Sequence, residues 1–145
     1  MKLHLLIGAV ALAMVGAEAM AQCAANSRVG NLQQLLPGNT LCAERGNDKW
    51  QEQHRGNGTS GELWDYKRGG NDLIDPTKKV GTWSISGQGQ GQGQGNQQVT
   101  YAYTNGPSFT FTVHEADGGL YNFCASGTSS ITGARIINGI TSCEY

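Results

Sequence analysis

The sequence predicts an all-β fold, a single antiparallel eight-strand meander closed into a barrel, with a short N-terminal helical turn and disulfide bracing. Three observations predict it. Beyond Thr40, short runs rich in Trp, Tyr, Phe, Thr, Val and Ile alternate with Gly, Asn and Asp clusters. Those clusters sit where tight hairpins need them, as in Asn105-Gly106-Pro107 and Asp117-Gly118-Gly119. Four cysteines remain after a leader that reads as an export signal. Charged residues make up only 14% of the 145-residue chain and Gly accounts for 22 positions, a composition that suits neither charge-driven disorder nor a helix bundle.

The leader sets the compartment. Met1-Lys2 is positive, Leu5 to Ala17 is almost wholly apolar, and Ala19-Met20-Ala21 supplies small residues for a peptidase. The apolar run is shorter than the about 20 residues that span a bilayer, so it reads as a signal peptide (1–21) cleaved after Ala21 and not as an anchor. Gln22 before Cys23 does not suit a lipidation site. The expected location is periplasmic or secreted, without stable membrane insertion. The formal net charge of −1 gives no basis for nucleic acid as the main partner.

An oxidising compartment preserves disulfides. Cys23, Cys42, Cys124 and Cys143 allow three pairings, and none forms a C-x-x-C arrangement. In an eight-strand meander barrel the start of the first strand and the end of the last share a rim. That geometry favours Cys42–Cys143, leaving Cys23–Cys124 to tie down an N-terminal arm (22–39). The local alternative, Cys23–Cys42 with Cys124–Cys143, is disfavoured because the last hairpin places Cys124 nearest Ala134.

Within the arm, Val29, Leu32, Leu35 and Leu36 fall at helical spacing, and Pro37-Gly38 stops them. The barrel domain (40–145) then carries candidate strands at 40–45, 49–55, 61–67, 80–86, 99–104, 108–114, 120–125 and 133–141. Period-two alternation sorts one apolar face: Trp50, Glu52 and His54; Trp64 and Tyr66; Trp83 and Ile85; Val99, Tyr101 and Tyr103; Phe109, Phe111 and Val113; Tyr121 and Phe123. Every aromatic after the leader except Tyr145 falls on that set. His114 lies on the opposite face and is expected to be exposed. The stretch 87–98, GQGQGQGQGNQQ, reads as a solvated, flexible hairpin loop without an anchor for a core.

The polar residues with functional interest are few. No Gly-x-Ser-x-Gly elbow, His-Glu-x-x-His helix or His/Cys cluster is present, so no catalytic residue, metal site or cofactor is expected and the chain does not read as an enzyme. Glu52 with Asp65 or Glu62 is the sole carboxylate pairing on adjacent strands. Asp72 and Asp75, in the long loop 68–79, lack the spacing of a calcium site. Glu52 and His54 share the interior face with Trp50, and buried polar groups need partners. Two readings stay open: they pair with neighbouring groups or sit at the rim in water, or they line the mouth of a cavity with Trp64, Tyr66 and Tyr101, since an eight-strand barrel holds side chains or one small ligand. The expected function is an exported binding module for a small apolar or amphipathic ligand. The alternative is a protein–protein module, such as an inhibitor of a host or rival hydrolase, using loop 68–79 as its contact surface.

Several motifs in order carry a resemblance. Gly38-Asn39-Thr40, Trp50 with Glu52, Gly61-Glu62-Leu63-Trp64-Asp65-Tyr66-Lys67, Asp75-Pro76-Thr77, Gly81-Thr82-Trp83 and Tyr121-Asn122-Phe123-Cys124 are similar to those of a group of small bacterial exported proteins with lipocalin-like (calycin-type) β-barrels and no assigned activity. The resemblance spans roughly residues 36–143. It implies a barrel fold and export, and it brings no catalytic or binding residue with it.

Overall fold

In a computed structural model, residues 22–68, 77–89 and 95–145 are described. The leader, Asp72 and Asp75 lie outside the described residues, so the readings made on them are not addressed by the structure. Eight strands follow one another: β1 (Thr40–Arg45), β2 (Asp48–Arg55), β3 (Ser60–Arg68), β4 (Lys78–Ser86), β5 (Gln98–Tyr103), β6 (Ser108–Ala116), β7 (Leu120–Ala125) and β8 (Thr128–Ile137). Each pairs antiparallel with the next, and β1 pairs with β8 to close the barrel. The turns use the residues that tolerate positive φ: Gly56 and Gly58 between β2 and β3, Asn105 between β5 and β6, and Gly118 and Gly119 between β6 and β7.

Closure gives every strand one inward and one outward face. Leu41 and Ala43 of β1, Leu63 of β3, Trp83 and Ile85 of β4, Val99 and Tyr101 of β5, Phe111 and Val113 of β6, Phe123 of β7 and Ala134 of β8 are buried in one core. Tyr101 is its hub: its ring lies 5.8 Å from Phe111 and 6.5 Å from Phe123, centroid to centroid. Trp83 donates its indole N–H to the carbonyl of Arg55 at 3.2 Å. The indole passes over Gly61, its cross-strand partner.

One end of the barrel is sealed by the arm. Helix α1 (Leu32–Leu35) is only four residues long, too short to persist by itself. It is held because Leu32 and Leu36 insert into the core with no exposed surface. The Gly/Gln segment supplies the polar half of this seal, which corrects the expectation of a solvated loop without an anchor. Gln97 is 1% exposed, and its Oε1 accepts the backbone N–H of Leu32 at 2.7 Å. Gly95 packs so tightly on Gly30 that a Cβ there would stand 2.2 Å from the Gly30 carbonyl oxygen.

Both disulfides are Cys23–Cys124 and Cys42–Cys143, and no described cysteine is free. The last strand, however, runs from Thr128 to Ile137, not 133–141. Cys42 therefore faces Arg135 across the seam, and Cys124 faces Ser129, not Ala134. Cys143 reaches Cys42 from a tail that turns back after Ile137 and crosses the outside of β1 and β2. Thr141 O accepts from Gln53 Nε2 at 3.1 Å, Cys143 N–H donates to Gln51 Oε1 at 2.8 Å, and Tyr145 Oη donates to the carbonyl of Trp50. The covering tail explains why Gln51 and Gln53 are buried although they face outward.

The fit of Trp83 over Gly61 generates a test. A Cβ on Gly61 would stand 2.0 Å from the Arg55 carbonyl oxygen and 2.8 Å from Trp83 Nε1. Gly61→Ala is expected to lower unfolding free energy by at least about 2 kcal/mol, as overpacking against backbone does. Urea denaturation of the oxidised protein reads this, and an unchanged midpoint would show that the indole is not seated there.

Candidate functional site

The end opposite α1 has a different lining. β2 brings Trp50 and Glu52 to it, β3 Asp65, β5 Tyr103 and β6 Phe109. Strand alternation places them all inward: Glu52 and Asp65 are register partners, and Phe109 is the partner of Tyr101. Glu52 and Asp65 are buried, at 3% and 5% exposure. Trp50 and Tyr103 are partly buried against the core. Phe109 faces inward yet is 45% exposed, so the barrel presents an aromatic ring to solvent at this end.

These groups are organised around one hydrogen bond. Tyr103 Oη donates to Glu52 Oε1 at 2.5 Å. Burial first, then the negative charge of Glu52, its hydrogen bond and the charge of Asp65, push the Tyr103 phenol well above its usual range. The phenol therefore stays a donor at any physiological pH. The Tyr103 ring meets Phe109 edge-on at 6.1 Å, and Phe109 stacks on Phe111 at 6.3 Å, which continues the aromatic wall into the core. Lys78 stands opposite Asp65 in the β3–β4 register.

Below this mouth, His54 and Tyr101 form its floor. His54 has no exposed surface and Tyr101 is 1% exposed. His54 Nδ1 lies 3.3 Å from the Asn39 carbonyl oxygen, and Nε2 lies 2.8 Å from Tyr101 Oη. A carbonyl only accepts, so Nδ1 carries the proton, and Nε2 accepts from the Tyr101 hydroxyl. Burial drives the imidazole pKa down to about 4, against a partial opposing effect of the Asn39 carbonyl. The Tyr101 phenol is raised, by burial and then by the charge of Glu52. Both ring nitrogens are engaged, so His54 is a satisfied core residue with no free position for proton transfer to a substrate.

The candidate residues thus divide. Trp50, Glu52, His54 and Tyr101 share the interior, the first two at the mouth and the last two in its floor. Trp64 and Tyr66 do not join them, which corrects the expected face. In β3 the inward residues are Leu63 and Asp65, the register partners of His54 and Glu52. A bulge at Leu63/Trp64 adjusts the pairing with β4 at the same point. Trp64 is stabilised outside instead: the Arg55 guanidinium lies 3.9 Å from its ring centroid, and its Nε1–H donates to Glu62 Oε2 at 3.0 Å. Glu62 also pairs with Lys79 at 2.8 Å, and that lysine, ahead of Trp64, lowers its carboxyl pKa.

His114 also departs from expectation. It faces outward but is 3% exposed, because the N-terminal arm crosses it. Its Nδ1 donates to the Ala24 carbonyl at 2.9 Å, and Nε2 meets Thr112 Oγ1 at 2.9 Å. Burial lowers its pKa. Tyr103 and Phe109, by contrast, are mouth residues that the sequence reading put on the apolar face without assigning them to the site. Their signal was the same alternation that selected Tyr101. Loop 68–79, the expected contact surface of the alternative reading, falls largely outside the described residues. Among the described residues no group of three or more His, Cys, Asp or Glu side chains is placed to hold a metal ion, and no helix is long and apolar enough to cross a membrane.

No family model, curated protein or solved structure matches this chain. The closed eight-strand antiparallel barrel is nevertheless the architecture that the lipocalin-like resemblance implies.

The tautomer and pKa of His54 are measurable together. Its folded pKa, about 4, lies below the ordinary 6.5, so the unfolded chain binds the proton more readily between those values. Stability contributed by this group is present above pH 6.5, declines by about 3 kcal/mol on acidification to pH 4, and changes no further below that. Nitrogen-15 NMR of the ring is expected to show a neutral, Nδ1-protonated imidazole down to about pH 4. A ring titrating at its ordinary value would contradict the buried pairing with Tyr101.

Proposed function

We propose that this protein is an exported binding module that holds one small apolar or amphipathic molecule in the open end of its barrel. The observation that carries the proposal is Phe109, an inward-facing ring that is 45% exposed beside the Tyr103–Glu52 pair. Interior aromatic surface held open to water is costly unless something covers it. A ligand lying on Phe109, Tyr103 and Trp50 would remove that surface from water. The Tyr103–Glu52 pair would meet any polar end, which is the usual division of labour in a small-molecule site.

Two further features support this reading. Leu32 and Leu36 fill the other end, so a ligand would approach from the Phe109 side. The two disulfides suit an oxidising location, periplasmic or extracellular. A binding role without turnover is favoured because the histidine nearest the mouth, His54, has both nitrogens committed.

The test is fluorescence titration of the oxidised protein with N-phenyl-1-naphthylamine, an uncharged apolar probe. Saturable one-to-one binding with quenching of Trp50 is expected. Phe109→Ala, at a half-exposed position that spares the deep core, is expected to weaken binding about tenfold. Probe emission that rises without saturation, or an unchanged affinity in the Phe109 variant, would overturn the proposal.

A further inference from the structure

A second concavity lies at the sealed end, between the N-terminal arm and the end of β6. Its volume is about 420 Å³, the size of a small-molecule site. Its lining mixes charged, amide and apolar side chains. Arg28 and Glu115 bring opposite charges to it, Asn31 and Gln34 bring amides, and Val29 and Leu35 bring apolar surface.

Arg28 is held in place by the protein and incompletely used by it. Its Nη2 donates to two carbonyl oxygens, those of Asn96 at 2.8 Å and Gln97 at 3.1 Å. Its backbone bridges to His114, which fixes the stem of the side chain on β6. Its Nε is buried and makes no hydrogen bond. With Nη2 committed to two carbonyls and Nε shielded from the groove, Arg28 offers a carboxylate a fixed positive charge and not a bidentate fork. Glu115 borders the same groove and is exposed. The two charges are presented to the groove.

That arrangement discriminates among ligand classes. A simple anion would meet the Arg28 guanidinium but be repelled by Glu115, and a simple cation the reverse. A molecule bearing both a carboxylate and an ammonium group satisfies both. Asn31 and Gln34 each offer a donor and an acceptor, the pair a peptide group needs, and Val29 and Leu35 offer a wall for a short side chain. We propose that this groove binds an unblocked zwitterion, a free amino acid or a short peptide with both termini free. The site is separate from the barrel mouth and does not depend on the ligand proposed there.

The test is an amide chemical-shift titration of the oxidised, nitrogen-15-labelled protein with L-alanyl-L-alanine, its N-acetylated form, its C-amidated form and L-alanine. Saturable shifts are expected at residues 26–35 and at Glu115. Blocking either terminus is expected to weaken binding about tenfold, the worth of one charge-assisted hydrogen bond. The exposed Glu115 allows a variant that spares the fold: Glu115→Gln is expected to abolish the preference for a free amine and retain that for a free carboxylate. Tighter binding of the dipeptide than of alanine assigns peptides as the ligand, and the reverse assigns free amino acids. Absence of saturable shifts at these residues, equal binding of the blocked forms, or an unaltered amine preference in Glu115→Gln overturns the inference.

Discussion

The pairing of β1 with β8 is the constraint on which the rest of the structure depends. It is a short seam, with three register pairs against seven between β2 and β3. Without it the sheet would have two unpaired edges and no defined interior. The C-terminal tail secures it. Cys42, at one end of the seam, is bonded to Cys143 in the returning tail. Thr40 Oγ1 donates to the Gly139 carbonyl at 2.7 Å, and the Gly139 N–H donates to Asn39 Oδ1 at 3.0 Å. These contacts hold the strand ends from outside, where they do not compete with the core for space.

Once the seam is closed, the two ends of the barrel differ for reasons found in single residues. At one end Leu32 and Leu36 bring apolar bulk, and Gln97 satisfies the buried backbone N–H of Leu32. At the other end no comparable segment among the described residues covers Phe109. Between them lies a line of polar groups inside an apolar core: Asn39, His54 and Tyr101, and above these Tyr103 with Glu52. Each depends on its neighbour, since a buried polar group without a partner costs about 1–3 kcal/mol. The first group lies toward the sealed end and the second toward the mouth.

Much of this was legible in the residues. Period-two alternation in 99–103, 109–113 and 121–123 is unambiguous because the intervening residues are polar or small, and it placed Tyr101, Phe111 and Phe123 in the core. The meander topology was sufficient to favour the two disulfides. The alternation in 61–67 is ambiguous by contrast: Leu63 and Trp64 are both apolar, and either phase buries a large side chain. Register with β2 decides between them, and register is a long-range property set by the 56–59 turn and by pairing of Leu63 with His54. The burial of His114 is not legible in alternation, which describes a sheet and not a segment lying over it. Gln97 was missed for the opposite reason, since low-complexity surroundings concealed one residue with a specific hydrogen bond. The end of β8 is not legible in the sequence, because Cys143 reaches Cys42 from a tail beyond the strand and not from its end.

Amide hydrogen exchange followed by NMR on the oxidised protein tests the closed seam most directly, because it reads each strand of the barrel separately. If β1 and β8 pair as described, the seam amides around Leu41 and Ile136 exchange as slowly as those in the middle of β4 and β5. Exchange at β1 and β8 near the rate of an unprotected chain, with β4 and β5 still protected, would mean an open sheet with two free edges. The inside, the mouth and the sealed end described above would then have no basis.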